Sequence, residues 1–269
     1  MNQIKSNNAL INWELVSVNP NDKNWTWKEL FYFWGCNIQS VIAFSLIASL
    51  YLVYELNIFV VLFGSLIASI FVYFLNGCLG MIATYHRLLS HGSWQCSKFI
   101  EKLFVLFATI GLTGPAIDWV AIHRKHHRYS DTEKDPHSPD YLGKYRVHFL
   151  TMFCKVEPKY AANLLRDPFY KWQRKNYFYI NFVYAIILYI IDPFAVIYAW
   201  LFPAALVVGF GTAILSTSHR DKRPHNDFAL AILTWGDAFH ATHHDNPMAA
   251  RLHRYDMTGF IINKFFKAA

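Results

Sequence analysis

Residues 35–78 read GCNIQSVIAFSLIASLYLVYELNIFVVLFGSLIASIFVYFLNGC, a run in which Glu55 is the only Asp, Glu, Lys or Arg. One crossing of a bilayer takes roughly 20 apolar residues. The run therefore holds two, at about 35–56 and 58–78, with Glu55-Leu56-Asn57 as the tip between them. It sits inside a wider gap, since no Lys or Arg falls between Lys28 and Arg87. A second such gap separates Lys175 from Arg220. It holds spans at about 177–191 and 194–216, divided by Asp192-Pro193, a turn dipeptide. The spacing predicts an all-α integral membrane protein with four transmembrane helices in two hairpins. A helical cap is expected from 79–176 and 217–269, with the whole of 1–269 forming one domain.

Every basic residue lies in the N-terminal arm, the central loop or the C-terminal tail, and neither hairpin tip carries one. The positive-inside rule puts both termini and the cap on the cytoplasmic face. Composition agrees with a membrane protein: 54 % of the residues are hydrophobic and 16 % charged, against about a quarter charged in soluble chains. The net charge of +7 then reads as attraction to anionic headgroups of the lipid bilayer. Nucleic-acid binding is not expected, because the charges flank apolar spans. The N-terminus shows no secretory signal pattern. Asn24-Trp25-Thr26 forms a sequon, but on the cytoplasmic side. Trp25 to Trp34 reads as an aromatic helix on the membrane surface. Cys36, Cys78, Cys96 and Cys154 form no C-x-x-C pair and are expected as free thiols.

Eight of the 13 histidines fall in three tight groups: His86 and His91; His123, His126 and His127; His240, His243 and His244. Each group follows a hydrophobic segment, the second one ending an apolar stretch, Phe99 to Ile122, that reads as a single interfacial helix. On a helix, positions i, i+3 and i+4 share a face, so each triplet should point together. His86 and His91 are turned roughly 140° apart on a regular helix, so they should flank a helix end or grip a metal from two sides. Imidazole is the commonest metal ligand at neutral pH and suits iron, zinc, copper and nickel. Eight imidazoles exceed what one tetrahedral zinc uses, and two metals are expected. The groups hold no carboxylate. Asp118, Asp131, Asp135 and Asp237 stand just outside them. Asp118 and Asp237 are expected to accept from the far ring N–H of ligand histidines, while Asp131 and Asp135 read equally well as loop charges.

These groups resemble the histidine boxes of the membrane-bound fatty-acid desaturases, in particular the Δ9 acyl-lipid and acyl-CoA type. His86 to His91 resembles the family's H-R-x-x-x-H box. Gly114-Pro115-Ala116-Ile117-Asp118-Trp119 followed by His123 to His127 resembles the second box and its approach. Gly236-Asp237-Ala238-Phe239-His240 through His244 resembles the third. The resemblance implies two iron ions held by nine histidines, with His219 in the ninth place, and zinc able to substitute in purified samples. It also implies an acyl tunnel under a cytoplasmic cap, with Trp119 along it, and O2 as co-substrate. The substrate would be a fatty acyl chain linked to lipid, ACP or CoA. No H-P-G-G haem segment occurs, so electrons are expected from a separate carrier such as ferredoxin or cytochrome b5.

Three departures stand out. Leu215 replaces the Asn that would hold a metal-bound water, and Thr212, beside Gly211, replaces a Trp at the tunnel bend. Ala121-Ile122 replaces the Arg–Asp pair of animal acyl-CoA members, which makes the pattern more like the acyl-lipid enzymes. The implied activity is oxygen-dependent insertion of a double bond into an acyl chain. The alternatives are a hydroxylase, acetylenase or decarboxylase on the same scaffold, and a non-catalytic membrane metal carrier. A carrier would need polar residues along the spans. Outside the boxes, His137, His148, His225 and His253 read as loop hydrogen-bonders. Arg220, Lys222 and Arg223 read as a solvated positive-inside face or a seat for an acidic carrier or headgroup.

Overall fold

A computed structural model of the chain describes residues 58–151 and 154–269. The expected span at 35–56, its tip at Glu55-Leu56-Asn57, the surface helix from Trp25 to Trp34, Asn24 and Cys36 lie outside the described residues. What is described is helical, with two small two-stranded ladders. No disulfide joins the described cysteines, Cys78, Cys96 and Cys154.

Helix α1 (Ile58–Tyr73) starts where the second span was expected. It does not end at Cys78. It runs on into a π-wound stretch (Phe74–Ser90), and the rod from Phe59 to Ser90 is 32 residues long. At 1.5 Å per residue that is about 48 Å, against a hydrocarbon core of roughly 30 Å. The rod is thus long enough to cross a bilayer and carry His86 well past its edge. Gly77 and Gly80 do not stop it. Gly80 is a packing residue: a Cβ there would lie 2.4 Å from the backbone nitrogen of Ala108 on the neighbouring helix.

That neighbour, α2 (Lys98–Ile110), begins at Ser97, whose side chain accepts from the Ile100 N–H. The apolar stretch expected as one helix is in fact two. Leu112 and Gly114 both take positive φ (59° and 91°), and Pro115 cannot donate within a helix. The chain therefore breaks there and restarts as α3 (Ala116–Tyr129). Short helices α4 (Pro139–Leu142) and α5 (Lys144–Leu150) follow. Then comes α6 (Pro168–Lys175), capped by Asp167. Gln173 on α6 knots these elements together. Its amide donates to Thr109 (2.9 Å) and Tyr85 (3.2 Å) and accepts from the Ala116 N–H (3.1 Å).

Helix α7 (Tyr177–Ile191) is 15 residues long. Asp192 turns the chain by accepting from the Phe194 N–H (3.0 Å). A π-wound turn (Ile197–Leu201) then leads into α8 (Phe202–Thr217), and together they form a second apolar rod of 21 residues. These two rods, 59–90 and 197–217, are the described helices long and apolar enough to cross a membrane. Phe63, Ile67 and Phe71 on α1 and Phe178, Phe182, Ile186 and Ile190 on α7 recur at the four-residue spacing of a single helix face, and all are exposed.

The C-terminal tail closes over the end of the first rod. Strand β1 (Trp94–Gln95) pairs with β4 (Lys267–Ala268), and β2 (His219–Arg220) with β3 (Arg223–Pro224), both antiparallel. Helices α9 (Phe228–Leu233), α10 (His240–Asp245) and α11 (Met257–Phe265) lie between and around them. Trp94 anchors this end: it is 1 % exposed and donates its indole N–H to Ala83 O (2.7 Å).

Candidate metal centre

His86 lies near the end of the first rod, and His91 is the residue that caps it. In a π-wound helix the hydrogen bonds run to the fifth residue, so i and i+5 come close to one full turn apart rather than 140°. Two side chains report the wide turns. Thr84 Oγ1 donates to Leu79 O and Ser90 Oγ to Tyr85 O, five residues back in each case (both 2.8 Å). The two rings therefore lie on one side, with centroids 5.3 Å apart.

The nine histidines, His219 included, gather into two groups. In His86, His91, His123, His127 and His243 the available ring nitrogens all lie within 4.8 Å of one another. The same holds for His126, His219, His240 and His244. Each triplet shares a face as its spacing predicts, but that face is divided between the groups. Helix α3 gives His123 and His127 to one and His126 to the other, and α10 gives His243 to one and His240 and His244 to the other. His219 enters from β2, beside the end of α8.

Carboxylates turn the rings. His86 Nδ1–H donates to Asp237 (2.8 Å), His126 Nδ1–H to Asp135 (2.9 Å) and His219 Nδ1–H to Asp131 (3.0 Å). Such bonds settle the tautomer and leave the Nε2 lone pair facing inward. Inside the groups, Nε2 atoms of neighbouring rings stand 2.8–3.2 Å apart. Lone pairs at that range repel unless they share a cation. A metal therefore fits the donor set.

Charge on the rings themselves is disfavoured. Burial, followed by the neighbouring imidazoles, holds His123, His126, His240 and His243 well below the ordinary histidine range. His91 is lowered to about 2 and His244 to about 3, with burial the larger cause in each. At neutral pH these are lone-pair donors. Burial works to raise Asp131 and Asp237, but their histidine partners outweigh it and both are lowered. Burial prevails at Asp135, which rises to about 6.

Asp118 does not take the place expected of it. It is partly exposed and pairs with Arg174 (2.7 Å), because the first turn of α3 faces α6 rather than the histidines. The two acceptors least evident from sequence are Asp131 and Asp135. Asp135 also accepts from the backbone N–H groups of Asp131 and His137 (both 3.0 Å), which folds the loop after α3 back under His126. His137 is buried rather than a loop hydrogen-bonder, with its ring centroid 4.3 Å from that of His126. His148 bonds Ser216, His225 bonds Arg220 O, and His253 stacks on Phe239, all away from the two groups. Arg220, Lys222 and Arg223 are exposed on the β2–β3 turn.

A cavity opens beside the centre. Trp119, Gly211, Thr212 and Leu215 line it together with Met81, Val207 and Ile122, and its floor is made by His86, His123, Asp237 and His240. Trp119 stacks on His123, with centroids 5.0 Å apart and planes 20° apart. The Thr212 hydroxyl is turned back onto Val208 O (2.9 Å), so the wall stays apolar, and Leu215 brings an aliphatic side chain. Sequence reasoning alone missed Met81, Leu112, Thr113 and Thr151 on these walls. None belongs to a box, and only the folding of α2, α5 and the rod brings them there.

Membrane-length apolar helices, a mostly buried all-imidazole centre and an apolar cavity ending on it together define a class: a helical protein whose histidine clusters fit a metal and border an apolar cavity. Comparison with known proteins makes this specific. The sequence family described as fatty acid desaturase matches residues 56–258, and the chain belongs to that family, whose members are oxidoreductases acting on fatty acyl chains. It is 30 % identical over 200 residues to an sn-2 palmitoyl-lipid 9-desaturase of Nostoc sp., covering 68 % of this chain and 70 % of that one. It is 31 % identical over 221 residues to a chloroplastic palmitoyl-monogalactosyldiacylglycerol delta-7 desaturase of Arabidopsis thaliana, covering 73 % and 58 %. An acyl-CoA C20 Delta5-desaturase of Anemone leveillei is 30 % identical over 199 residues, covering 66 % and 62 %.

Proposed function

We propose that this protein is a four-span, two-iron, oxygen-dependent desaturase of fatty acyl chains, with its cap and both termini cytoplasmic. The observation that carries the reading is the coincidence of cavity and centre: the apolar cavity ends on His86, His123 and His240, members of both histidine groups. One iron would be held by His86, His91, His123, His127 and His243, the other by His126, His219, His240 and His244. When bound, the iron pair supplies the oxidising power by which O2, two electrons and two protons convert –CH2–CH2– to –CH=CH– and two waters.

The chain's own residues do the rest. Met81, Val207 and Leu215 take the acyl chain out of water, which protects the reacting carbons from side reactions. Trp119, held flat on His123, fixes the wall nearest the centre, and the vertical placement of the chain decides which methylenes lie over the histidines. Asp237, Asp135 and Asp131 hold His86, His126 and His219 in the tautomer that faces a metal. The two basic-free gaps, the two apolar rods and the outward apolar faces of α1 and α7 support the topology. Ala121 and Ile122 favour a lipid-linked substrate, and the electrons would come from a separate carrier such as ferredoxin or cytochrome b5.

The test is lipid profiling by mass spectrometry of a desaturase-deficient host expressing the chain, beside His123→Ala and His240→Ala. A new double bond with the wild type alone is expected. Hydroxylated, acetylenic or shortened products would replace the desaturase reading by another oxidation, and an unchanged lipid profile would remove it.

A further inference from the structure

Beyond the boxes, one fully buried ion pair is tied to the centre. Arg87 and Asp256 are 1 % and 0 % exposed. The two nitrogens of the guanidinium fork meet the two carboxylate oxygens at 2.7 and 3.1 Å. One of them also donates to Ala250 O (3.0 Å). Asp256 further accepts from the Leu252 N–H (2.8 Å) and the Gly259 N–H (2.9 Å). The chain is shaped around this carboxylate. A Cβ at Gly236, whose φ is +103°, would lie 2.3 Å from one oxygen, and a Cβ at Gly259 would lie 2.5 Å from the other.

On its other side Arg87 stands 3.9 Å from Asp237 Oδ1, the same oxygen that accepts from His86 Nδ1 at 2.8 Å. The fork is thus held by Asp256 just short of a direct bond to Asp237. Remove the charge of Asp256, and the guanidinium has one anion left to turn to. It would then compete with His86 for that oxygen, and a bidentate Arg–carboxylate contact is the stronger bond.

We infer that Asp256 is a positioning residue for the metal centre: it keeps Arg87 off Asp237, and so leaves Asp237 to orient His86 in the five-histidine group. The segment after α10, from Asn246 onward, is then part of the centre although it supplies no ligand. This inference rests on the two-iron reading above.

The full chain, purified in detergent and loaded with 57Fe, tests it by iron content and Mössbauer spectroscopy. His86→Ala identifies the doublet of the five-histidine iron. In Asp256→Asn that doublet should change its quadrupole splitting and its iron should bind about 10–100-fold more weakly, while the other doublet stays as in the wild type. A merely structural ion pair would lower the yield or the Tm and leave both doublets of the folded protein unaltered, and that result overturns the inference. Should Asp256→Asn not be recovered folded, Asp256→Ser removes the same charge while its hydroxyl can still accept from a backbone N–H, and the same change confined to that doublet is expected. A wild-type chain that takes up no iron would sink the two-iron reading itself, whereas an unchanged variant of an iron-loaded wild type sinks this inference alone.

Discussion

Replacing Asp135 by Asn changes one atom and should loosen one side of the metal centre. Asp135 is 3 % exposed. Its Oδ1 accepts from the His137 N–H and its Oδ2 from the Asp131 N–H (both 3.0 Å), and His126 Nδ1 lies 3.0 and 2.9 Å from the two oxygens. An amide offers one acceptor. Whichever way it turns, its NH2 faces a backbone N–H, and a buried donor left unpaired costs about 1–3 kcal/mol. The bond from His126 also falls from charge-assisted to neutral, roughly another 1 kcal/mol. A loss of about 2–4 kcal/mol is expected, or a Tm lower by about 4–16 °C at the 2–4 °C per kcal/mol of larger domains. Metal held by His126, His219, His240 and His244 should bind about 10–100-fold more weakly. Metal analysis after a graded chelator challenge, beside a thermal unfolding curve, reads both effects. Wild-type chelator resistance with a Tm within a degree would show that the carboxylate does not hold His126.

Asp118→Asn should behave differently. Its pair with Arg174 is partly exposed, so the change should stay within about 1 kcal/mol and leave metal content alone; lost metal would return Asp118 to the role first expected of it. His219→Ala should lower bound metal from about two per chain toward one and abolish turnover, while Leu215→Asn keeps both metals; two metals in His219→Ala would remove it from the ligand set. Gly80→Ala forces a methyl against the Ala108 backbone and should destabilise by at least about 1–3 kcal/mol; an unchanged Tm would contradict so close a packing of rod and α2. Single cysteines at Lys134 and Lys264 should be labelled from the cytoplasmic side, and one at Asn57 from outside; external labelling at Lys134 would invert the topology.

Much of the centre was legible because its chemistry is local. Spacings of three and four put His123, His126 and His127 on one helical face whatever surrounds them, and charge gaps mark apolar rods without knowledge of their partners. What escaped was set by winding and by distant contacts. Nothing in Phe74 to Ser90 announces π turns, so the five-residue step from His86 to His91 left two arrangements open, and the structure puts the pair across the end of the rod with both rings on one side. The break between α2 and α3 needed positive φ at Leu112, a residue that rarely takes it. Asp118 beside box two looked better placed than Asp135 in the loop beyond, yet α6 claims the first and the returning loop delivers the second. Helical spacing predicted a shared face for each triplet, but it carried no information on how that face would be divided.

That division has a thermodynamic consequence. Helices α3 and α10 each place histidines in both groups, so neither half of the centre can be assembled while the other stays loose. An ion captured by His123, His127 and His243 draws the same two helices together that carry His126, His240 and His244, and a second ion meets ligands whose ordering entropy has already been lost. Loading should then be sigmoidal in metal concentration, with the singly loaded form scarce at every point of the titration.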